Sequence, residues 1–331
     1  MGSRLIHAIV VLVVAAALTA EAQSPAKPAR VGFLTPSSKL SFEAGERLIR
    51  REAFSGRLRE LGWIEGQNLA IESRYAEGAY DRLQALAAEL VSLPVEVIFA
   101  NSAPAALAAK RATTTIPIVF ETLGEPVSAG LVASIARPER NLTGVSGLGP
   151  ELSGKRLELL KELVPGLRRV ALLVNPKNVM TEPTVRETAK AAAILGLRVD
   201  LVEVRSPDQL ESSIGRVGGD GTTAMIIVPD PMLLSHARRI QALLLKHRLP
   251  AVHSETGWHQ VGALMLFGPS LLDHFRQAAT LVDKLLRGAR VADVPVEQST
   301  KFELLINLKT AKTLGLTVSP SLLVRADRVL E

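Results

Sequence analysis

Residues 95–122 read VEVIFANSAPAALAAKRATTTIPIVFET, and this stretch decides the fold. An apolar run at 95–100 is followed by Asn101-Ser102, an alanine-rich segment with helical character and a second apolar run at 116–120. A short buried run, a helix and another buried run are typical of a βαβ unit with parallel strands. The stretch therefore predicts an α/β fold in which polar residues directly follow the strands.

The same alternation recurs along the chain in two similar halves. Comparable apolar runs begin at Val31, Val95, Ile116, Val170, Met225 and Leu249. The runs of the second half follow those of the first at intervals of about 130 residues, and each is followed by small, polar or acidic residues. Ligands of open parallel sheets bind beyond the carboxyl ends of the strands. Two halves of this kind predict two Rossmann-like lobes with parallel sheets and one site between them.

The periodicity of apolar residues also predicts where the helices lie. The predicted helices span 42–61, 80–93, 103–112, 127–135, 153–163, 184–195, 208–217, 235–247, 271–286 and 308–314. Residues 141–150 contain three glycines and no helical pattern, so we interpret them as a segment that crosses between the lobes.

Composition narrows the class of protein. The 331 residues are 47% hydrophobic and 4% aromatic, so Ala, Val and Leu must fill most of the cores. The absence of cysteine excludes disulfides, a thiolate nucleophile and a zinc site with Cys ligands. The net charge is +6, but Lys and Arg are scattered among Asp and Glu, which argues against a nucleic-acid partner.

The N-terminus has the pattern of a secretory leader. Arg4 precedes an unbroken apolar run at 9–18, which is short for a membrane span, and Ala20-Glu21-Ala22 fits a small-x-small cleavage site. We expect residues 1–22 to be a signal peptide cleaved after Ala22 and the remaining chain to be exported to the periplasm. An uncleaved membrane anchor is the alternative interpretation.

The candidate ligand-binding residues share a position just after an apolar run. They are Ser37, Asn101, Ser102, Glu121, Thr122, Glu125, Asn175, Asp230, Ser254 and Glu255. Ser102 and Pro104 open a helix, whose free N–H groups favour a carboxylate, although a plain helix cap explains Ser102 equally well. The acidic residues are suited to pairing a ligand ammonium, and solvent-exposed loop carboxylates are the alternative.

Motifs for catalysis and metal binding come close but fail. Residues 149–156 nearly form a P-loop, yet Arg156 stands where Ser or Thr must bind magnesium. Residues 144–147 resemble a nucleophile elbow, but Leu148 replaces the final Gly. His247, His253 and His259 are six residues apart, which matches no metal motif. The sequence therefore predicts neither an enzyme, nor a metal site, nor a cofactor.

Five longer stretches resemble the ABC-transporter substrate-binding proteins related to bacterial tryptophan- and tyrosine-type periplasmic binders. They are LGWIEGQN at 61–68, PAALAAK at 104–110, IPIVF at 116–120, PELSGKRLELL at 150–160 and KFELLINLKTAK at 301–312. Departures from the family pattern fall at Asn101-Ser102-Ala103, Glu125-Pro126 and Gly147-Leu148-Gly149, so the resemblance does not carry over the identity of the ligand.

The resemblance implies a type I periplasmic-binding fold whose two lobes join through three crossings and close on a small polar ligand such as an amino acid or organic acid. It implies an N-terminal lobe at 30–145 plus 267–298 and a C-terminal lobe at 146–266 plus 299–331. It further implies an ABC permease and an ATPase on separate chains, only transient contact with membrane proteins, and a monomer. A periplasmic sensor that presents its bound state to a receptor is the alternative.

Overall fold

The computed structural model describes residues 27–39, 46–138, 140–218 and 220–331. The predicted leader and residues 42–45 of the first predicted helix lie outside these ranges. The described strands are β1 Ala29–Thr35, β2 Leu69–Tyr75, β3 Val97–Asn101, β4 Ile118–Thr122, β5 Leu142–Ser146, β6 Arg169–Val174, β7 Arg198–Glu203, β8 Thr223–Ile227, β9 Ala251–His253, β10 Met265–Pro269, β11 Glu297–Gln298, β12 Phe302–Asn307 and β13 Arg328–Leu330.

These strands form two sheets. The first has six strands in the order β11-β5-β4-β3-β1-β2, with parallel neighbours throughout. The second has seven strands in the order β13-β12-β10-β9-β8-β6-β7, in which β10 and β12 are antiparallel and the other pairs are parallel. We call each sheet with its covering helices a lobe.

Helices connect most of the strands. The described α-helices are α1 Glu46–Glu60, α2 Leu83–Ser92, α3 Ala103–Ala112, α4 Ser153–Leu163, α5 Thr181–Ile194, α6 Leu210–Gly215, α7 Pro231–Ser235, α8 Ala237–Lys246, α9 Leu271–Leu286, α10 Leu308–Thr313 and α11 Pro320–Arg325. The strand–helix alternation confirms the predicted α/β class with two mostly parallel sheets.

The central strands are apolar because helices cover both faces of each sheet. β3 and β4 are buried along nearly their whole length, as expected for parallel strands between helices. On one face of the first sheet the Phe54 and Phe99 rings stack with centroids 4.6 Å apart. Phe33 and Phe275 meet the Phe99 ring edge-on, so α1 and α9 are joined to the sheet by a single aromatic cluster.

The chain passes between the lobes three times. The first crossing, residues 147–152, leads from β5 of the first sheet to α4 of the second lobe. The second crossing is Ser270, between β10 of the second sheet and α9 on the first. The third crossing, residues 299–301, leads from β11 to β12. This is the predicted arrangement of two lobes and three crossings.

The predicted helix at 127–135 is wrong, since these residues form turns. The Glu125 carboxylate accepts hydrogen bonds from the two backbone N–H groups that would begin such a helix, at 2.9 and 2.6 Å. Gly130 then adopts a φ of 70°, a left-handed conformation that interrupts a helix. The Lys110 ammonium donates to the Gly130 and Leu131 carbonyls and fixes the turn against α3.

The interpretation of 141–150 as a crossing segment alone is also wrong, because its first half is β5. This strand lies between β4 and β11 and is buried along its length. A Cβ on Gly144 would lie 2.2 Å from the Phe120 carbonyl oxygen. The glycine therefore permits a close approach of two strands, whereas the sequence pattern indicated a crossing between the lobes.

Two further features differ from the sequence-based picture. The proposed lobe boundary at residue 267 falls inside β10, a strand of the second sheet. The C-terminal residues form α11 and β13, for which no element was expected, and β13 extends the second sheet beside β12.

Candidate functional site

A cleft between the two lobes gathers most of the predicted site residues. Its volume is about 700 Å³, which includes some open solvent at its mouth. The first lobe contributes the ends of β3 and β4 and the beginning of α3, and the second lobe contributes residues after β8 and β9. The predicted residues that line it are Ser37, Asn101, Ser102, Glu121, Thr122, Asp230 and Glu255.

Asn175, Glu125 and Ser254 lie outside this lining. Asn175 is buried behind Asp230 and donates to its Oδ2 at 3.2 Å. Glu125 holds its own turn through the two backbone hydrogen bonds described above. Ser254 is buried directly after β9, where its carbonyl carbon and oxygen pack closely on β10.

Asp230 is the centre of the second-lobe side of the cleft. Its Oδ1 caps α7 by accepting two backbone hydrogen bonds at 2.9 and 3.0 Å. Its Oδ2 accepts from Asn175 at 3.2 Å, from Asn178 at 3.0 Å and from the Tyr80 hydroxyl at 2.6 Å. Burial raises the pKa of Asp230 above its ordinary value, while these hydrogen bonds act in the opposite direction.

Tyr80 joins the two lobes across the cleft. It lies after β2 of the first lobe, whereas its partner Asp230 follows β8 of the second. Burial and the negative charge of Asp230 raise the pKa of the Tyr80 phenol well above its ordinary value, so the phenol stays protonated and donates. The lobes are therefore joined by a charge-assisted hydrogen bond at the edge of the candidate site.

Ser102 turns the chain from β3 into α3 at the cleft. Its φ of 103° is rare for a residue with a side chain, and such strain concentrates at ligand sites. The Ser102 hydroxyl accepts only a long hydrogen bond of 3.5 Å from Ala105 N. Ala103 and Pro104 also line the cleft, so the N-terminal end of α3 faces it.

Glu121 is held from two sides at the end of β4. Asn101 donates to its Oε2 at 2.9 Å and in turn accepts from the Thr35 hydroxyl at 3.1 Å. The His274 Nδ1 lies 3.0 Å from Glu121 Oε1, and the His274 Nε2 forms a hydrogen bond with Ser299 Oγ. His274 is 1% exposed, so this chain of contacts runs from the cleft into the interior.

Tyr80 and His274 were missed by reasoning from sequence. Tyr80 could have been found, because it stands a few residues after the carboxyl end of β2, as the other candidates do after their strands. His274 lies in an amphipathic helix 153 residues from Glu121, and nothing local in the sequence indicates that the two meet.

The family model for the ABC transporter substrate binding protein matches residues 43–330. The chain belongs to this family of ABC transporter substrate-binding proteins. The resemblance found in the sequence is thereby confirmed. Members of this family bind substrates and are not enzymes, as the failed catalytic motifs predicted.

Several known proteins are similar to this chain. A tyrosine-binding protein of Clostridioides difficile strain R20291 is 28% identical over 267 residues, which cover 80% of this chain and 76% of that protein. The structure of an ABC domain from Streptococcus pneumonia in complex with L-Trp has a TM-score of 0.84 at 24% identity and covers 92% of this chain and 100% of that one. A ligand-free, open substrate-binding protein from Clostridium difficile has a TM-score of 0.64 at 24% identity, covering 91% and 99%. These likenesses confirm the fold of a type I periplasmic-binding protein.

The cleft of this substrate-binding protein also has an apolar wall, formed by Leu123, Met180, Leu234 and Leu271. Met180 belongs to the second lobe but packs with the hydrophobic core of the first. A Cβ on Gly124 would lie 1.8 Å from the Met180 Cε, so the two lobes touch closely here.

The described ranges of the chain have neither a clustered metal-binding set of side chains nor a helix suited to a membrane. They contain no group of three or more His, Cys, Asp or Glu side chains placed to hold a metal ion. Their helices are all too short or too polar to cross a bilayer.

Proposed function

We propose that this chain is an exported, monomeric solute-binding protein that captures a small amino acid or organic acid and delivers it to an ABC importer. The observation that carries the proposal is the cleft, in which polar side chains from both lobes surround a space beside an apolar wall. Ligand pockets are largely apolar with a few placed polar groups, and this lining has both. The permease and the ATPase would be separate chains.

The first lobe offers a place for a ligand carboxylate. The N-terminal end of α3 faces the cleft, and the positive end of a helix dipole favours an anion. The Ser102 hydroxyl, which has only a long internal hydrogen bond, is placed to donate to the same carboxylate. This supports the functional interpretation of Ser102 over a plain cap.

The cleft also offers carboxylates for a ligand ammonium. Glu121, Asp230 and Glu255 line it, and the negative charges of Asp230 and Glu255 both act on Tyr80. Because the Asp230 oxygens already accept five hydrogen bonds, we assign the main ammonium contact to Glu121 or Glu255 and a supporting role to Asp230.

The apolar wall would contact the ligand side chain. The tyrosine-binding and L-Trp-bound relatives make aromatic amino acids the first candidates. The departures from the family pattern at residues 101–103, 125–126 and 147–149 lie at or beside the cleft, so aliphatic amino acids and organic acids belong in the same test.

A thermal-shift screen tests the proposal. The panel contains L-tyrosine, L-tryptophan, aliphatic L-amino acids and benzoate. A ligand at a hundred times its Kd stabilises the folded state by about 2.7 kcal/mol, which raises Tm by several degrees. The hit is then titrated into Ser102→Ala and into Ser212→Ala, a matched substitution on the exposed surface of the second lobe. Only Ser102→Ala should weaken binding. The absence of any shift across the panel would contradict the proposed ligand class.

A further inference from the structure

A buried group of residues around His274 lies where the three crossings leave or enter the first lobe. Ser146 ends β5 just before the first crossing, His274 lies in the first turn of α9 after the second, and Ser299 begins the third. Ser299 donates to the Ser146 carbonyl through its backbone N–H at 2.9 Å and through its hydroxyl at 3.3 Å. The same hydroxyl pairs with the His274 imidazole. All three residues are more than nine-tenths buried.

The first crossing is packed directly onto this group. A Cβ on Gly147 would lie 3.1 Å from the His274 Cε1 and 2.9 Å from the Leu123 Cα. The Ser146 hydroxyl donates to the Gly124 carbonyl at 3.0 Å, and Gly124 lines the cleft. The group therefore touches the cleft at Glu121 and at Gly124.

Arg156 forms a second buried group, which contacts the first and second crossings on the side of the second lobe. Arg156 of α4 is 1% exposed; its Nε donates to the Phe267 carbonyl at 2.9 Å and its Nη1 to the Gly149 carbonyl at 2.7 Å. Burial lowers the pKa of Arg156 to about 10. Phe267 lies in β10 before the second crossing, and Gly149 lies in the first, so this guanidinium fixes their second-lobe side.

The stretches between the two groups are short. They are residues 147–148 in the first crossing and residues 268–273 on either side of Ser270 at the second. In the third crossing, which Arg156 does not hold, residues 300–301 separate Ser299 from β12. Hinge motions are absorbed by a few residues at the ends of elements, and these stretches have that size and place. Leu148 already adopts a φ of 52°, which is uncommon for a residue with a side chain.

We propose that His274 and Ser299 are positioning residues that fix the Glu121 carboxylate in the cleft and anchor the three crossings at the first lobe. A ligand that contacts Glu121 thereby acts on the same buried group that holds the hinge. Neither residue touches the ligand. The ligand part of this proposal rests on the proposed function, whereas the anchoring of the hinge does not.

The hinge part is tested without any ligand. The chain has no cysteine, so Ala88→Cys on α2 and Ala193→Cys on α5, both exposed, provide spin labels on opposite lobes. Ser299→Ala should broaden the distance distribution between the labels, measured by double electron–electron resonance. Ser270→Ala is the matched control, because Ser270 lies in the second crossing, is as buried as Ser299 and forms no capping hydrogen bond through its side chain.

The result has clear alternatives. A distribution that stays unchanged in Ser299→Ala, or that broadens equally in Ser270→Ala, overturns the anchoring role. If Ser299→Ala does not fold, His274→Gln in the same labelled background tests the same hydrogen bond from the other side. If the substitution only destabilised the fold, it would lower the Tm of the variant without broadening the distance distribution between the labels.

The ligand part is measured by titration with L-tyrosine and L-tryptophan. Ser299→Ala should weaken binding by about fivefold, the size expected for one net hydrogen bond, and Ser270→Ala should not. Unchanged affinity in Ser299→Ala contradicts the positioning of Glu121. If the unsubstituted protein binds neither amino acid, the proposed ligand class fails, while the result of the distance measurement still decides the anchoring role.

Discussion

The Tyr80 side chain forms a hydrogen bond between the two walls of the cleft. Tyr80→Phe removes the hydroxyl that donates to the Asp230 Oδ2 at 2.6 Å and leaves the ring in place. Because a hydrogen bond to a charged group is worth about 1.5–3 kcal/mol, we expect the free energy of unfolding to fall by about that amount. Urea unfolding followed by circular dichroism measures the change.

A double-mutant cycle separates this bond from other effects of the substitution. Tyr80→Phe, Asp230→Asn and the double variant are unfolded under the same conditions. Residues in direct contact show interaction energies of about 0.5–3 kcal/mol, and we expect a value in this range. An interaction energy near zero would mean that the hydrogen bond contributes nothing to the stability of the joined lobes.

The raised pKa of Asp230 gives stability a specific dependence on pH. Burial raises the folded-state pKa above the ordinary value of 3.8, so between the two values the folded protein binds more protons than the unfolded chain. The contribution of Asp230 to the free energy of unfolding must therefore fall as pH rises through this window. The Asp230→Asn variant lacks this titrating group, so its free energy of unfolding does not include this decrease. The stability of the variant relative to the unsubstituted protein should therefore increase with pH. Urea unfolding at several values between about pH 4 and pH 7 measures it, and a relative stability that decreases with pH would contradict it.

At the scale of single residues, the sequence predicted positions better than contacts. Asn101, Ser102 and Glu121 could be placed at the cleft because they follow buried strands, and parallel strands end at one edge of a sheet. The partners of these residues could not be predicted. The contacts of Glu121 with His274 and of Asp230 with Tyr80 join residues that only the packing of separate elements brings together.

β5 shows how one glycine sets the spacing of an element. Gly144→Ala would place a Cβ 2.2 Å from the Phe120 carbonyl oxygen, and backbone atoms inside a sheet have little room to move. We expect it to lower the free energy of unfolding by about 1–3 kcal/mol, the usual range for overpacking. Gly56→Ala is the control, because Gly56 lies in α1 with open space around its Cβ position.

The control should change stability in the opposite direction. Alanine is favoured over glycine inside a helix by about 1 kcal/mol, so Gly56→Ala should stabilise. Urea unfolding of both variants gives the comparison. Equal effects from the two substitutions would show that Gly144 is not held in place by the neighbouring strand.

Elements with strong apolar periodicity were predicted well, as α3, α4 and α9 show. The failures at 127–135 and at β5 have a common physical cause. In both places Gly and polar residues serve contacts with other parts of the chain: Glu125 caps a turn, Lys110 fixes it, and Gly144 admits a neighbouring strand. A local sequence pattern contains no information about such distant contacts.

At the scale of the whole molecule, Gly124 and Met180 form a close contact between the two lobes. Gly124→Ala would place a Cβ 1.8 Å from the Met180 Cε, so either this side chain moves or the lobes separate. Because the Met180 side chain is buried against the core of the first lobe, it has little room to move. We therefore expect the lobes to separate and the radius of gyration to increase, as measured by small-angle X-ray scattering.

Two further variants make this prediction specific. Gly154→Ala, whose Cβ would meet only ordinary contact at 3.7 Å, should leave the radius unchanged. Met180→Ala combined with Gly124→Ala removes the obstructing atoms and should restore the original radius. If the double variant remains as expanded as Gly124→Ala alone, the steric explanation is wrong.

The hydrogen bond between Tyr80 and Asp230 has a consequence for how often empty molecules meet a membrane transporter. Both partners belong to the protein, so the bond stabilises the joined lobes without any contribution from a ligand. In the proposed transport role, empty closed molecules would compete with loaded ones for the permease. The strength of this bond would then contribute to the ratio of empty to loaded molecules that reach the permease, and too strong a bond would slow uptake.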